Sequence, residues 1–221
     1  HMFSKSEGFY GGHGIVGAQV PIGAGIAFAN KYKKNANVSF TYFGEGAANQ
    51  GQVYETFNMA SLWNLPVVFV IENNQYAMGT SMVRASSTEE MFARGLAFNI
   101  PGKAVNGMDV LEVAKEASDA ADHCRAGKGP FILEMKTYRY RGHSMSDPAK
   151  YRTREEVQKI REEKDPIDTL RSLLIKKHKI SEKEFKAKDS EIKTIVTEAS
   201  DFALNSPEPN IEELWTDVYA D

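Results

Sequence analysis

Apolar residues in the first two thirds of the chain follow two different spacings, and each spacing predicts a different element. Short continuous apolar runs are typical of parallel strands that are covered on both faces. Apolar positions that recur every three or four residues predict helices. Strands are predicted at 38–43, 67–71, 103–105 and 130–135. Helices are predicted at 21–34, 49–64, 88–97 and 109–126.

This alternation of strands and helices predicts an α/β fold with a mainly parallel sheet flanked by helices. Beyond Tyr151 the spacing stays helical while the chain becomes strongly polar. Three further helices are predicted there, at 153–164, 166–178 and 181–204. We therefore expect a ligand-binding domain at 1–150 and a charged C-terminal helical extension at 151–221, packed on that domain.

Composition supports this division, because all 17 glycines lie in residues 1–150 and 30 of the 57 charged side chains lie in residues 151–221. The formal net charge of the 221 residues is only -3. Nucleic acid and anionic membranes are therefore not expected as partners. The single cysteine, Cys124, excludes a disulfide framework and is expected to be a small buried residue on a helix face.

No apolar run approaches the ~18 residues that span a bilayer, and no signal peptide opens the chain. We therefore expect an intracellular protein, in the cytoplasm if the source is bacterial and in the mitochondrial matrix if it is eukaryotic. The opening pair His1 and Met2 fits either a native sequence or a cloning remnant.

Ligands of parallel sheets bind beyond the carboxyl ends of the strands, so the segments that follow the predicted strands are the candidate site. One strand is followed by Gly44, Glu45 and Gly46, and the next is followed by Asn73 and Asn74. The 26 residues from Ala47 to Glu72 suffice for one helix and one strand. The two loops are therefore expected to lie side by side. Each motif alone is also typical of a turn or a cap, and their joint spacing favours a site.

The chemistry of these loops suits a magnesium-bridged diphosphate. Glu45 offers a carboxylate and Asn74 an amide oxygen, which are ligands that magnesium or calcium prefers. A helix that begins near Ala47 is expected to point backbone N–H groups at the same place, where they would favour an anion.

The run from Gly12 to Gly17 matches the pattern G-x-G-x-x-G, which also occurs in dinucleotide-binding dehydrogenases. That fingerprint needs a hydrophobic strand before it and a helix that opens within it. Neither is predicted here, so a nicotinamide site is not expected. A glycine loop whose backbone approaches another flat ligand is the better interpretation.

The paired loops resemble the thiamine-diphosphate motif, written GDG, about 26 residues, then NN. Four stretches carry a wider resemblance to the alpha subunits of the pyruvate dehydrogenase component of the pyruvate dehydrogenase complex: GGHGIVGAQVPIGAGIAFANKY, GEGAANQGQVYETFNMASLW, IENNQYAMGTS and TYRYRGHSMSDPAKYRTREE. With the charged helical end, this resemblance covers nearly all of residues 8–215. It implies the thiamine-diphosphate-binding fold.

The resemblance also implies roles for individual residues. The backbone of Gly14 and Val16 would contact the aminopyrimidine ring, and Gly46 and Ala47 would contact the diphosphate. The metal, magnesium, would be held by the side chains of Glu45 and Asn74 and by the backbone carbonyl of Tyr76. His143, on the loop after the last strand, would lie at the phosphate region as a catalytic residue. Ser144 stands where mitochondrial relatives are phosphorylated.

Glu45 departs from the family pattern, which has aspartate at this position. Glutamate keeps the charge but adds a methylene group, and magnesium demands near-ideal ligand geometry. We therefore expect weaker binding of magnesium and thiamine diphosphate than in a Glu45→Asp variant.

The activity implied is oxidative decarboxylation of pyruvate with transfer of the acetyl group to lipoamide. The implied partners are a beta subunit, in an α2β2 heterotetramer, and the lipoyl domain of the acyltransferase. Because relatives carry a longer N-terminal part, the chain is expected to be a truncated subunit that is inactive alone. Alternatives are an alpha subunit acting on acetoin or branched-chain 2-oxo acids, and a non-catalytic assembly module that uses Phe28, Phe57 and Trp63 as an interface.

Overall fold

The computed structural model of the chain describes residues 2–216 and 218–219. His1, whose origin is left open above, lies outside the described residues. The chain forms two compact units, His1–Leu170 and Arg171–Asp221. The first unit thus ends at residue 170, later than the change of composition near residue 150, and the functional division at 150 stays a prediction.

The described residues of the first unit contain six strands and most of the helices. The strands are β1 (Ser39–Gly44), β2 (Val67–Asn73), β3 (Tyr76–Ala77), β4 (Thr80–Ser81), β5 (Gly102–Asn106) and β6 (Phe131–Lys136). The helices that the structure describes are α1 (Gln19–Tyr32), α2 (Gly51–Leu62), α3 (Met82–Ala85), α4 (Val110–Arg125), α5 (Arg154–Lys164), α6 (Pro166–His178) and α7 (Glu182–Asn205). Short 3₁₀ segments lie at Lys5–Glu7, Ala47–Asn49, Met91–Phe98 and Ile211–Trp215.

Four strands form one parallel sheet in the order β1-β2-β6-β5. Gly44 of β1 pairs with Glu72 of β2, and Asn73 of β2 pairs with Lys136 of β6. The carboxyl ends of these three strands therefore meet at one edge of the sheet. The predicted α/β fold with a parallel, helix-flanked sheet is confirmed.

Alternate residues of the central strands pack on opposite faces of the sheet, as the two-residue period of a strand requires. On one face Val67, Phe69 and Ile71 pack in a cluster with α1 and α2. On the other face Val68 and Val70 pack in a second cluster with α4. The continuous apolar run of β2 therefore reflects cover on both sides, as predicted.

Helix α1 lies very close to β1 because it carries a glycine at the contact. A Cβ atom on Gly23 would lie 1.7 Å from the hydroxyl oxygen of Thr41. Cys124 of α4 is 3% exposed, and burial raises the pKa of its thiol to about 12. The prediction of a small buried cysteine on a helix face is therefore confirmed.

One local prediction needs correction, and one hairpin was not predicted. The helix predicted at 88–97 is a 3₁₀ segment at Met91–Phe98, and Gly95 within it leaves no room for a side chain because a Cβ atom there would lie 2.4 Å from Ile132 Cδ1. The hairpin of β3 and β4 was not predicted, since its two-residue strands are too short to produce an alternating pattern.

The second unit is helical. Ser181 caps α7 through a capping box, in which its side chain and that of Glu184 satisfy each other's backbone N–H groups. Neither α6 nor α7 contains a buried residue. Within the part of the chain that the structure describes, none of the helices has an apolar stretch of the length that a bilayer requires.

Candidate functional site

The candidate site lies where β1, β2 and β6 end. Glu45 follows β1 and Asn74 follows β2, and the Glu45 Oε2 atom accepts the backbone N–H of Asn74 at 3.3 Å. The two loops are therefore adjacent, as the spacing of 26 residues predicts. Parallel pairing of β1 with β2 is the cause, because it ends both strands at the same level.

Glu45 is buried at this edge and only partly satisfied. Its residue is 2% exposed, and its Oε1 atom has no hydrogen-bond partner among the described residues. Burial raises the pKa of the Glu45 carboxyl, and the nearby Glu72 carboxylate raises it further. The backbone N–H groups of Glu45 and Asn74 and the charge of Arg139 act in the opposite direction. A cation beside the free oxygen would stabilise the ionised form.

The turn after β2 is fixed by its own side chains. The Oδ1 atom of Asn73 accepts the N–H of Gln75 at 3.1 Å, and the Oδ1 atom of Asn74 accepts the N–H of Tyr76 at 3.2 Å. Gln75 has a φ of 76°, a left-handed backbone conformation that residues other than glycine seldom adopt. The turn therefore holds Asn74 beside Glu45 and leaves a second lone pair on the Asn74 amide oxygen.

The Gly46 position admits no side chain, because a Cβ atom there would lie 2.4 Å from the Cβ of Ala77. The β3–β4 hairpin thus approaches the backbone of the β1 loop. Ala47 begins a 3₁₀ turn that ends at Asn49, and α2 begins only at Gly51. The expectation of a helix that begins near Ala47 is therefore wrong by one turn, since the chain first makes an extended step at Gln50.

The segment after β6 packs against the hairpin. The Arg139 Nη2 atom donates to the carbonyl of Met78 at 2.8 Å, and its Nη1 atom lies 3.4 Å from Nδ1 of His143. The rings of Tyr76 and Tyr151 are 5.0 Å apart between centroids. Arg139 therefore joins the loop that carries His143 to the β3–β4 hairpin, whose first strand begins at Tyr76.

Asp147 holds the His143 loop in shape. Its carboxylate accepts the N–H of His143 at 2.7 Å, the N–H of Ala149 at 2.9 Å and the hydroxyl of Tyr151 at 2.8 Å. These donors, led by the two backbone N–H groups, lower the pKa of Asp147 to about 2. His143 and Ser144 themselves are exposed.

Gly14 and Val16 lie in an exposed loop that is tied to α2. The carbonyl of Val16 accepts Gln52 Nε2 at 2.8 Å, and Gly17 turns the chain with a φ of 83°. No hydrogen bond or ring contact joins Gly14 or Val16 to Glu45 or Asn74 within the part of the chain that the structure describes. In residues 2–11 the structure describes no strand that leads into this loop, and α1 begins after it, at Gln19, so the dinucleotide fingerprint lacks its required context.

The structure therefore brings together Glu45, Gly46, Ala47, Asn74 and Tyr76, and it links His143 to them through Arg139. Gly14 and Val16 lie in a separate loop, which the carbonyl of Val16 ties to Gln52 of α2. Sequence reasoning missed the part that Gln52 and Tyr151 play, because each acts through a long-range contact. In residues 2–216 and 218–219 no group of three or more His, Cys, Asp and Glu side chains forms a metal cluster.

Comparison with known proteins gives a consistent result. The family model described as "Dehydrogenase E1 component" matches residues 1–212. The chain is 60% identical over 218 residues to the pyruvate dehydrogenase E1 component subunit alpha of Rhizobium meliloti, and 57% identical over 218 residues to the subunit of the same name from Zymomonas mobilis. It is 52% identical over 220 residues to the testis-specific mitochondrial form of that subunit from Rattus norvegicus.

Each of these alignments covers 99% of the chain. They cover 63%, 61% and 55% of the three relatives, in the same order. The chain thus spans about three fifths of the length of the curated relatives that it matches.

Proposed function

Because this chain belongs to the dehydrogenase E1 component family, we propose that it is part of the alpha subunit of a thiamine-diphosphate-dependent dehydrogenase. The proposed reaction is oxidative decarboxylation of pyruvate, with transfer of the acetyl group to lipoamide. The names of the relatives support pyruvate as the substrate.

One observation carries the proposal. The Oε1 atom of Glu45 is buried and has no partner among the described residues, while the Oε2 atom of the same carboxyl group accepts the N–H of Asn74 at the carboxyl end of a parallel sheet. Such a group costs free energy unless a cation or a donor completes it. The carboxylate, the amide oxygen of Asn74 and the backbone carbonyl of Tyr76 are the hard oxygen ligands that magnesium takes together with phosphate oxygens. The residues present therefore fit a magnesium diphosphate.

The chain's own residues would divide the work as follows. Glu45, Asn74 and the Tyr76 carbonyl hold the metal, and the backbone at Gly46 and Ala47 approaches the diphosphate. Ala47 packs its side chain on the core, so its backbone is the part available to a ligand. Bound thiamine diphosphate would supply the carbanion chemistry that decarboxylates a 2-oxo acid.

The glycine loop and the His143 loop would complete the site from two sides. The backbone of Gly14 and Val16 receives the aminopyrimidine ring, with Gln52 fixing the carbonyl of Val16. His143, oriented by Arg139 and Asp147, offers an imidazole that can hold or move a proton near the phosphates. A phosphate group on the exposed Ser144 would bring a dianion towards the diphosphate and oppose its binding.

The proposed partners are a beta subunit and the lipoyl domain of an acyltransferase. The names of the relatives, which describe an alpha subunit of a component, support an assembly of more than one chain. A cytoplasmic location is proposed for a bacterial source and the mitochondrial matrix for a eukaryotic one.

Two alternatives make different predictions. An alpha subunit acting on acetoin or branched-chain 2-oxo acids would share the same cofactor residues. An assembly module would need exposed apolar surface, and Phe57 does not provide it because it is 1% exposed in the core. Phe28 and Trp63 remain half-exposed, with ring centroids 5.6 Å apart.

The test is a decarboxylation assay of the intact protein assembled with its cognate beta subunit, with and without thiamine diphosphate. We expect cofactor-dependent release of carbon dioxide from pyruvate, with lower turnover of branched-chain 2-oxo acids and acetoin. Preference for one of those substrates would select the corresponding alternative. No turnover of any of them by a well-assembled complex would contradict the proposal.

A further inference from the structure

Glu134 is an acidic residue in the middle of an apolar strand, and the proposed function does not use it. It lies in β6 and is 0% exposed. No ion pair reaches it from any Lys, Arg or His in the described ranges. Instead, its two oxygens accept hydrogen bonds from two separate segments, the end of β2 and the start of the 3₁₀ segment Met91–Phe98.

The first oxygen orients the turn that carries the proposed metal ligands. Glu134 Oε1 accepts Asn73 Nδ2 at 2.7 Å. This bond fixes which way the Asn73 amide faces and so aims its Oδ1 atom at the N–H of Gln75, 3.1 Å away. The turn that places Asn74 beside Glu45 therefore depends on an acceptor at position 134.

The second oxygen of Glu134 anchors the 3₁₀ segment Met91–Phe98. This segment contacts the loop after β1 that is proposed to bind the diphosphate, residues 45–49, called the diphosphate loop below. Glu134 Oε2 accepts the backbone N–H of Phe92 at 3.2 Å. Two residues later, Arg94 Nη1 donates to the carbonyl of Ala48 at 3.1 Å and to Asn49 Oδ1 at 2.8 Å. Ala48 and Asn49 directly follow Gly46 and Ala47. The hydrogen bonds of Arg94 therefore reach the part of the proposed site that would contact the diphosphate.

We propose that Glu134 is a positioning residue. It holds the metal-binding turn after β2 and the diphosphate loop after β1 in a fixed position relative to each other. The inference rests on the proposed function for what the two segments bind. Packing alone gives no reason for this residue, because an apolar side chain of similar size would fill a buried strand position without the cost of desolvating a carboxyl group.

A swap of the two side-chain types tests the proposal. In Glu134→Gln, one of the two N–H donors meets an amide NH₂ instead of an oxygen. In Asn73→Asp, two carboxyl groups face each other. In the double variant Asn73→Asp/Glu134→Gln, the new amide at position 134 donates to the new carboxylate at position 73. The other oxygen of that carboxylate accepts the N–H of Gln75, and the amide carbonyl at position 134 accepts the N–H of Phe92. All three bonds return, and only the contact of Asn73 Nδ2 with Met82 Sδ is lost.

The first readout is amide hydrogen exchange of the ligand-free intact protein. We expect faster exchange at both 73–76 and 91–98 in Glu134→Gln, and recovery of both in the double variant. Acceleration of only one segment, or of neither, would overturn the proposed coupling. This readout does not depend on the proposed function.

The second readout is calorimetric titration with magnesium and thiamine diphosphate. We expect affinity to fall roughly 10–100-fold in Glu134→Gln, the size of effect seen when groups that orient metal ligands are removed, and to return most of the way in the double variant. Glu116→Gln is the control, because Glu116 of α4 is also buried but pairs with Lys103 of β5 at 2.6 Å. It should leave affinity unchanged.

The outcomes separate the two claims. If the wild type binds no thiamine diphosphate, the proposed function fails, and hydrogen exchange alone decides the role of Glu134. If the wild type binds and Glu134→Gln binds equally well, the positioning role is wrong and the proposed function stands. A double variant no better than Glu134→Gln would also overturn the positioning role.

Discussion

The two units differ in how they hold polar groups. At the site of the first unit, Glu45 and Glu134 are buried carboxyl groups that depend on donors from distant segments. In the second unit, α7 has no buried residue, and several of its charged side chains pair along the same helix, as Lys193 does with Asp189 at 2.7 Å. One exposed pair, Arg171 with Glu182, joins α6 to α7. The buried carboxyl groups of the first unit therefore rely on long-range contacts, while α7 relies mainly on local ones.

This difference indicates which of the two units can form a ligand-binding site. Local pairs and caps are worth a few tenths to about 1 kcal/mol each and suffice to form a helix, but they create no enclosed chemical environment. A sheet covered on both faces can bury a carboxylate at its edge and raise its pKa, as happens at Glu45. Ligand chemistry is expected in the first unit and not along α7.

The largest expected contrast is between two phenylalanines. Phe57 is 1% exposed on α2, and its ring centroid lies 4.8 Å from that of Phe69, whereas Phe202 on α7 is 76% exposed. Phe57→Ala should lower the free energy of unfolding of the intact protein by about 3–5 kcal/mol. Phe202→Ala should change it by less than ~0.5 kcal/mol. Denaturant unfolding measures both, and equal effects would show that α7 is covered in the intact protein.

The next effect concerns the cap of α7. Ser181→Ala removes the side chain that accepts the N–H of Glu184, and should cost about 1 kcal/mol of helix stability. Hydrogen exchange of the first turn of α7 should rise, while the β2 amides stay protected. Ser190→Ala is the control, because Ser190 lies inside the helix. A loss of protection in β2 as well would contradict independent local stabilisation.

The smallest effect is a pH dependence within the His143 loop. The pKa of Asp147 is lowered from 3.8 to about 2, so the folded loop favours the carboxylate. The ionised Asp147 carboxylate contributes fully to the stability of the folded loop above about pH 4, and this contribution is lost as the pH falls through about 2. Exchange protection of the His143 and Ala149 amides should therefore fall from pH 5 to pH 3 more in the wild type than in Asp147→Asn. Parallel curves would contradict this assignment.

Much of the fold could be predicted because the signals are local. The strand predicted at 67–71 is β2 at Val67–Asn73, and the helix predicted at 109–126 is α4 at Val110–Arg125. In α4, Asp109 caps the first turn by accepting the N–H of Leu111, which is a short-range feature that the sequence carries directly.

The unpredicted parts depend on contacts between distant residues. The left-handed conformations of Gln75 and Met78 shape the turn and the β3–β4 hairpin. Neither residue is a glycine, the residue type from which such a conformation could have been predicted. Adjacency of Glu45 and Asn74 could be predicted from spacing, because parallel pairing fixes it. The links from Arg139 to Met78 and from Glu134 to Asn73 could not, although an acidic residue inside an apolar strand was a visible signal.

The central claim is that Glu45 and Asn74 hold a metal-bound diphosphate, and calorimetric titration of the intact protein with thiamine diphosphate tests it most directly. We predict binding that requires magnesium, is abolished in Glu45→Ala, and becomes roughly ten-fold tighter in Glu45→Asp, or about 1.4 kcal/mol. Equal affinity of the wild type and Glu45→Asp would show that the longer side chain carries no cost. Magnesium-independent binding that survives Glu45→Ala would contradict the account.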